Sequence, residues 1–375
     1  MSESLLVHPT LSFGSPKLIP DGDAVRLVHP ATGFTYRLNP TALTIWEAVQ
    51  EPTSVSAIRD HVLRTFDVSH DEAAGAVDGF LDQLAELGLV ELRTPDAATE
   101  LRLRYLSLLE RVLVNLIYPE HELRLHRLET ASASLSTRVD RERMLRDIRE
   151  SDPEEFAALV RAKLDGKIYR GRPWRYSHTM VGLRRLQHLH WCAQRVFADK
   201  IPGDFLEAGV CQGGAAIYMR ALQVAYGEAQ RLLWAADSFE GLPVPHHDND
   251  EGYDFSESRE PWLAATLDSV RENFRTYDLL SDAVRFLPGW FRDTLPAAPV
   301  GTLAILRLDA DLYTSTMEAL EPLYEKLAPG GFVIVDDYYA FLPCRTAITE
   351  FREKHGITEP IRHIDWSAVY WRKAR

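Results

Sequence analysis

The sequence predicts two folded parts: a small winged-helix-like α+β domain, and after it an α/β domain whose parallel sheet is covered by helices on both faces. Three observations predict this arrangement. The first quarter of the chain has the pattern of three short strands followed by three helices, a polar break follows at residues 94–96, and apolar strand-like runs alternate with helical stretches from residue 202 onward. A chain of 375 residues, 46% of them hydrophobic, has the length for two compact domains.

In the first domain the strands precede the helices. The predicted strands are residues 18–20, 24–29 and 33–38, which are β-rich runs separated by turn-forming residues. Asn39 and Pro40 then predict a helix start, because Asn is a good N-cap and Pro suits the first helical position. Further helices are predicted from Ser54 and Ser69, and a closing strand is predicted at residues 89–92.

The second domain has strands that alternate with helices. Its predicted strands are residues 204–208, 232–236, 284–287, 303–308 and 331–335. Helical periodicity lies between them, at residues 215–223, 262–274 and 316–327. The Leu- and Arg-rich stretch before them predicts a helical connector. The predicted organisation is a first domain at residues 1–94, a connector with the start of the second domain at 95–200, and an α/β core at 201–375.

Charge and composition exclude several classes of partner. The net charge is −13, and the first 94 residues alone carry 13 acidic and six basic residues, so neither the whole chain nor its winged-helix-like part suits nucleic acid. No apolar run approaches the roughly 18 residues of a membrane span, and the start of the sequence lacks a signal-peptide pattern. The three cysteines form no CxxC motif that would indicate zinc. We expect a cytoplasmic protein.

Candidate ligand-binding residues follow the predicted strands, because ligands bind beyond the carboxyl ends of the strands in open α/β sheets. Glu207 ends the first strand, where it could accept a hydrogen bond from an ammonium group. Gly209, Gly213 and Gly214 follow in a GxxxGG spacing, which permits a tight turn but matches neither a P-loop nor a GxGxxG fingerprint. Two interpretations of this motif remain: a loop that binds a cofactor, and a turn that only connects a strand to a helix.

The next two strand ends offer an acidic and an aromatic group. Asp237 and Ser238 follow the second strand, where an acidic side chain could bind ribose hydroxyls or cap a helix. Gly289, Trp290 and Phe291 follow the third strand, where the aromatic rings could cover an adenine or belong to the core.

The last two strands each end in paired carboxylates. Asp309 and Asp311 follow one strand, and Asp336 and Asp337 follow the next. Carboxylates brought together repel one another and lose hydration, so such pairs at buried strands need a reason. Oxygen-rich clusters suit a hard divalent cation such as Mg²⁺, although caps for the following helices are the alternative.

From residue 101 to the end, the chain resembles the macrocin- and mycinamicin-type sugar O-methyltransferases of antibiotic pathways. The motifs that carry the resemblance are HTMVGLRRL at 178–186, ADSFEGLP at 236–243, FLPGWFRDTLP at 286–296, LRLDADLYTSTM at 306–317 and PGGFVIVDDY at 329–338. The resemblance implies a Rossmann-like class I methyltransferase fold, dependence on S-adenosyl-L-methionine (SAM) and Mg²⁺, and a homo-oligomer, which we expect to be a dimer.

The resemblance also implies roles for individual residues. The implied cofactor-binding residues are Thr179, Met180, Glu207, Gly209, Gly213, Asp237, Ser238, Gly289, Trp290 and Phe291, with the last two near the adenine. The implied metal ligands are Asp309, Asp336 and Asp337, and Asp309 is also placed to take the proton of the substrate hydroxyl. Residues 246–254 form a polar loop, either simply solvated or a lid through which His246 or His247 contacts substrate.

Residues 18–92 resemble PqqD-like peptide-binding modules, also called RiPP recognition elements. YRLNPTA at 36–42, Trp46 and FLDQL at 80–84 carry this resemblance. Such modules hold a leader peptide as an added strand, which implies a groove between residues 33–38 and a later helix.

We therefore expect an O-methyltransferase of natural-product biosynthesis that acts on a ribosomally synthesised precursor peptide bound through its leader. The alternative is methylation of a small-molecule or sugar moiety of an antibiotic, with a first domain that recognises no peptide. A DNA-binding regulator without turnover is a third hypothesis, which the intact acidic set disfavours.

Overall fold

The computed structural model describes residues 6–9, 17–21, 24–29, 34–49, 53–66, 68–87, 89–93, 96–130, 152–167 and 177–374. The chain divides into two compact units, Met1–Arg104 and Tyr105–Arg375. The predicted domain boundary at Thr94 lies outside the described residues. No helix in the described ranges is both long and apolar enough to cross a lipid bilayer.

Side-chain caps set the starts of the helices in the first unit. These helices are α1 (Pro40–Ala48), α2 (Val55–Thr65) and α3 (His70–Glu86). Asn39, Ser54 and Ser69 each accept a hydrogen bond from a backbone N–H three residues further along, as the sequence predicts. Glu72 Oε2 in turn accepts a hydrogen bond from the backbone N–H of Ser69, which completes a capping box.

The strands of the first unit form two small sheets. They are β1 (Leu6–Pro9), β2 (Lys17–Asp21), β3 (Ala24–Val28), β4 (Thr35–Leu38), β5 (Thr53–Ser54) and β6 (Val90–Arg93). The predicted meander is the antiparallel sheet β2-β3-β4, in which β4 is an edge strand among the described residues. The predicted closing strand β6 instead pairs with β1, a strand that the sequence did not predict because it is short and ends in Pro9.

Helices precede the sheet of the second unit. They are α4 (Ala97–Leu113), whose first residues belong to the first unit, α5 (Pro119–Thr130), α6 (Pro153–Asp165) and α7 (Gly182–Ala198). Lys163 in α6 is fully buried. It donates to Glu122 Oε1 in α5 at 2.7 Å, to the Val114 carbonyl just after α4 at 3.0 Å and to Ser177 Oγ before α7 at 3.1 Å. Burial lowers the pKa of Lys163, and its ion pair with Glu122 opposes that shift. The part of the predicted connector at residues 131–151 lies outside the described residues.

A seven-stranded sheet forms the centre of the second unit. Its strands are β7 (Asp204–Ala208), β8 (Leu233–Asp237), β9 (Val284–Pro288), β10 (Leu303–Leu308), β11 (Leu327–Val335), β12 (Arg362–His363) and β13 (Val369–Arg372). The order is β12-β13-β11-β10-β7-β8-β9. The five predicted strands are parallel, whereas β13 and β12 add antiparallel pairs at one edge, so the sheet is mixed. The predicted parallel sheet is therefore present, with an antiparallel edge that the sequence did not indicate.

Helices cover both faces of the sheet, as predicted. Those after α7 are α8 (Gly214–Ala225), α9 (Leu267–Thr276), α10 (Phe291–Thr294), α11 (Tyr313–Leu323) and α12 (Leu342–Lys354). One core cluster joins α7, α8 and α9 to one face, and the other joins α11 and α12 to the opposite face. The helix predicted at 262–274 begins only at Leu267, because Pro261–Leu263 is a 3₁₀ turn and Thr266 is the N-cap.

Candidate active site

The carboxyl ends of β7, β8, β10 and β11 open into a cavity of about 770 Å³. Eight of the ten predicted cofactor-binding residues line it: Thr179, Met180, Glu207, Gly209, Asp237, Ser238, Trp290 and Phe291. Gly213 and Gly289 are not among the lining residues and shape the loops behind them. Both have positive φ angles, of 86° and 124°.

The glycine-rich turn after β7 is shaped by its own neighbours. Gly209 has φ 88°, and a Cβ atom placed on it would lie 1.8 Å from the carbonyl oxygen of Asp309. A Cβ on Gly213 would lie 2.8 Å from Val270 Cγ1, and one on Gly214 would lie 2.2 Å from the carbonyl oxygen of His178. These glycines therefore bring strands and helices together, as a structural turn would, and Gly209 also lines the cavity, as a cofactor loop would.

Asp237 holds the same turn from the neighbouring strand. Its Oδ2 accepts hydrogen bonds from the backbone N–H groups of Val210 at 2.7 Å and Cys211 at 3.2 Å, and its Oδ1 accepts one from Phe239 at 2.8 Å. Asp237 lines the cavity, but the hydrogen bonds that its carboxylate accepts here come from backbone N–H groups of the turn. Burial raises the pKa of Asp237, and these hydrogen bonds offset part of that rise.

Three carboxylates come together at the ends of β10 and β11. Asp309, Asp311 and Asp337 each offer a carboxylate oxygen within 4.8 Å of the others, a spacing that one divalent cation could bridge. Asp311 has φ 54°, in the left-handed region that few residues other than glycine adopt. Burial, with the nearby Asp309 and Asp336, raises the pKa of Asp311 to about 8, and burial and like charges also raise the pKa of Asp309 and Asp337.

Asp336 lies outside this group of three, in contrast to the predicted ligand set of Asp309, Asp336 and Asp337. Arg307 donates to its Oδ1 and Arg185 donates to its Oδ2, so both carboxylate oxygens are held in buried ion pairs. In this arrangement the third carboxylate beside Asp309 and Asp337 is that of Asp311, whereas Asp336 was the third predicted metal ligand.

Arg307 organises the carboxylates on one face of the sheet. The register sets it beside Glu207 on β7 and Ile334 on β11, and side-chain alternation brings Asp309 and Asp336 to the same face. Its Nη1 donates to Glu207 Oε1 and, at 3.0 Å, to Asp309 Oδ2. Arg307 and Arg185 are site residues that the sequence reasoning missed. A charged residue inside an apolar strand was the available signal for Arg307, and a basic residue on the apolar face of α7 was the signal for Arg185.

The strand ends carry an excess of negative charge. Seven acidic residues lie at or beside the strand ends, namely Glu207, Asp237, Asp309, Asp311, Asp336, Asp337 and Asp365. In the described ranges, the only basic residues that form ion pairs with them are Arg185 and Arg307. Burial raises the pKa of Glu207 to about 8, although Arg307 opposes this shift, and its Oε2 is buried without a hydrogen-bond partner. The cavity is therefore suited to positively charged ligand groups, such as a sulfonium, an ammonium or a divalent cation.

The loop with His246 and His247 is fixed at its far end. Asp250, fully buried, accepts hydrogen bonds from Tyr313 N at 2.6 Å and from Thr314 N at 3.1 Å and Oγ1 at 2.7 Å. His247 stacks on Tyr313, with ring centroids 4.6 Å apart, whereas His246 lines the cavity. Of the two histidines, only His246 faces the space where substrate would lie.

The comparison with known proteins identifies the second unit. The model of the Macrocin-O-methyltransferase (TylF) family matches residues 102–373, which is most of the chain. The chain belongs to this family. It is an S-adenosylmethionine-dependent O-methyltransferase, as predicted from the motifs.

Curated relatives and a solved structure agree with this assignment. The tetracenomycin-rhamnoside 4'-O-methyltransferase of Streptomyces olivaceus is 44% identical over 72% of this chain and 92% of its own length. The mycinamicin III 3''-O-methyltransferase of Micromonospora griseorubida is 39% identical over 75% and 99%. The structure of the O-methyltransferase NovP superposes with a TM-score of 0.60 at 36% identity, over 73% of this chain and all of that one, and confirms the predicted α/β fold.

The first unit matches a different family. The model of Coenzyme PQQ synthesis protein D (PqqD) matches residues 25–90 and confirms the second resemblance. The names of the curated relatives specify small molecules, including demethyldecarbamoylnovobiocin, whose O-methyltransferase in Streptomyces niveus is 46% identical over 55% of this chain and 79% of its own length. They favour the small-molecule alternative over the expected peptide substrate.

Proposed function

We propose that this protein transfers the methyl group of SAM to a hydroxyl oxygen on a sugar or another small-molecule moiety of a natural product. The observation that carries the proposal is the acidic cluster at the ends of β7, β10 and β11, which faces a cavity large enough for a cofactor and an acceptor. The named substrates of three curated relatives support this acceptor class.

The residues of the cavity divide into two groups. Glu207, Gly209 and Asp237 lie on the β7–β8 side, where we place SAM, with Thr179 and Met180 against it and Trp290 and Phe291 near its adenine. Asp309, Asp311 and Asp337 would hold a Mg²⁺ ion, which would supply Lewis acidity that lowers the pKa of the acceptor hydroxyl.

The chain itself supplies orientation and a proton acceptor. Asp309 belongs to the second group and is joined through Arg307 to Glu207 in the first, so we assign its carboxylate to take the proton of the hydroxyl as the oxygen attacks the methyl carbon and the carbon–sulfur bond breaks. Arg307 holds Asp309 through a 3.0 Å hydrogen bond from Nη1 to Oδ2.

The remaining wall of the cavity suits a bulky, uncharged acceptor. The aromatic residues Phe255, Trp262, Phe341 and Trp366 line this part, together with the polar residues His246, Glu260, Arg292 and Glu318. Phe255 and Phe341 pack with ring centroids 5.0 Å apart, and Trp262 Nε1 donates to Glu260 Oε2 at 2.5 Å. Apolar walls with a few fixed polar groups are typical of small-molecule sites.

The test is an acceptor panel with the full chain, SAM and Mg²⁺. Mycinamicin III and demethyldecarbamoylnovobiocin, the acceptors named for two relatives, are compared by mass spectrometry with a synthetic leader–core peptide. A gain of one methyl group on a glycoside or related small molecule supports the proposal. Methylation of the peptide alone would contradict it.

A second candidate keeps the peptide as substrate. It rests on the PqqD match and on β4 (Thr35–Leu38), the edge strand of the meander, which among the described residues has a neighbour on one side only. An edge strand can accept an added peptide strand. Binding of a fluorescent leader peptide to the full chain, competed by unlabelled leader, would favour this candidate, whereas the absence of binding would favour the first.

A further inference from the structure

A series of ion pairs with alternating charges runs across one face of the second unit. Arg307 donates to Glu207 Oε1 and to Asp336 Oδ1, and Arg185 donates to Asp336 Oδ2. Arg185 Nε also donates to Asp365 Oδ2 at 2.7 Å. The order is therefore acid, arginine, acid, arginine, acid, and each neighbour compensates the charge of the next.

Two side-chain atoms in this series of ion pairs have no hydrogen-bond partner. Glu207 Oε2 and Arg185 Nη2 are buried and make no hydrogen bond, although the other atoms of both groups are paired. Glu207 is 1% exposed and Arg185 is 8% exposed, and both line the cavity. A buried charged group with an unmet hydrogen bond is unfavourable, so one unpaired acceptor and one unpaired donor on two residues that line the same cavity indicate a ligand that supplies both complements.

We propose that Arg185 is the carboxylate-binding residue for the methionine part of SAM. In this arrangement Arg185 Nη2 donates to the α-carboxylate and Glu207 Oε2 accepts from the α-ammonium. An α-amino acid carries these two charges on one carbon atom, which matches one free donor and one free acceptor on a common wall. The inference rests on the proposed placement of SAM beside β7 and assigns a role to Arg185 that the sequence motifs did not indicate.

The position of Arg185 supports this role. It lies in the first turn of α7 (Gly182–Ala198), directly after the segment in which Thr179 and Met180 line the cavity. Its guanidinium carbon lies 5.6 Å from the ring centroid of Trp366, another lining residue, which holds the guanidinium plane on a second side. The two ion pairs to Asp336 and Asp365 hold Nη1 and Nε, so the orientation of the guanidinium is fixed and Nη2 is the nitrogen left without a partner.

Discrimination between two cofactors tests this assignment. Isothermal titration calorimetry compares SAM with decarboxylated SAM, which keeps the sulfonium, the ammonium and the nucleoside but lacks the carboxylate. Wild type should bind SAM roughly 10- to 100-fold more tightly, the range of a charge-assisted hydrogen bond. Arg185→Met should bind the two compounds with affinities equal within about threefold, because the carboxylate loses its donor.

Two further variants separate recognition from stability. Arg184→Met removes a neighbouring arginine that pairs with Asp165 at 3.0 Å and does not line the cavity, so it should keep the wild-type preference for SAM. Arg185→Lys keeps a positive charge beside Asp336 and should retain an intermediate preference if Arg185→Met does not fold.

The outcomes distinguish this inference from the proposed function. Equal binding of both compounds by wild type would overturn the role of Arg185 while leaving the cofactor site intact. An Arg185→Met protein with an unchanged preference for SAM would overturn it too. Failure of wild type to bind either compound would overturn the placement of SAM itself.

Discussion

At the scale of single residues, Asp309 links the two halves of the site. It accepts a hydrogen bond from Arg307, which also holds Glu207 on the cofactor side, and it is one of the three carboxylates suited to a cation. Its backbone carbonyl in turn occupies the space that a side chain at position 209 would need. The position of the Asp309 side chain therefore depends on the sheet register, on Gly209 and on Arg307.

Asp309→Asn tests the chemical role of this carboxylate. The amide has the same shape but lacks the charge and basicity, so we expect kcat to fall by roughly 100-fold or more, with SAM affinity changed only a few-fold. Release of S-adenosylhomocysteine measures the first quantity and calorimetry the second. Asp293→Asn is the matched control, because that carboxylate does not line the cavity. A fully active Asp309→Asn protein would remove Asp309 from the mechanism.

Gly209→Ala tests the close approach of the two strands. The added Cβ would meet the Asp309 carbonyl at 1.8 Å, so the free energy of unfolding should drop by more than about 2 kcal/mol. Gly227→Ala is the control, because Gly227 shares a positive φ of 77° but has no atom within 4 Å of such a Cβ. Urea denaturation followed by circular dichroism compares the two, and equal losses of stability would refute the steric account.

At the scale of secondary structure, α11 depends on a distant cap. Its N-cap residue, Leu312, makes no side-chain cap hydrogen bond, and Asp250 takes over by accepting from Tyr313 and Thr314. The cap also positions the start of α11, where Thr314 and Ser315 line the cavity. The loop that carries His246 and the helix that borders the acceptor are thus joined by one carboxylate.

Asp250→Ala should therefore act on both stability and catalysis. Loss of the cap should lower the free energy of unfolding by about 1–2 kcal/mol and increase hydrogen exchange at the first backbone amides of α11. Asp248→Ala is the control, because Asp248 lies exposed in the same 3₁₀ turn. Unchanged exchange at Tyr313 and Thr314 would show that Asp250 does not cap the helix in solution.

At the scale of the whole molecule, part of the negative charge is concentrated at the strand ends of the second unit. The net charge of −13 includes seven acidic residues at or beside the strand ends, four of which pair with Arg185 or Arg307. A bound divalent cation would relieve the repulsion among Asp309, Asp311 and Asp337. The expected homodimer stays a prediction, which light scattering after size-exclusion chromatography can check.

Chelation tests the need for a cation. EDTA in excess should reduce methyl transfer at least 10-fold, and added Mg²⁺ should restore it, because the carboxylate group would lose its counter-charge. The measurement is the initial rate before chelation, after it and after restoration, with calcium–EDTA as the control for non-specific effects. An initial rate that EDTA leaves unchanged would argue against a metal at Asp309, Asp311 and Asp337.

Much of this protein could be predicted from the sequence because the signals are local. Asn39, Ser54 and Ser69 cap helices within three residues of themselves, and the apolar runs that end in Asp237 or Asp309 form strands where predicted. The motifs at the strand ends sufficed to assign the O-methyltransferase family. Pairings between distant segments, such as β1 with β6 or β13 with β11, carry no comparable local signal.

The sequence by itself therefore determined the order of elements, the family and the set of carboxylates near the cavity. Only the tertiary structure decided how these carboxylates are arranged: Asp336 is paired with Arg185 and Arg307, whereas Asp311 lies with Asp309 and Asp337. It also decided that Asp250 caps a helix 63 residues further along the chain. The physical reason is that buried charges are placed by register and helix packing, which bring together charged residues as far as 180 positions apart, as Arg185 and Asp365 are.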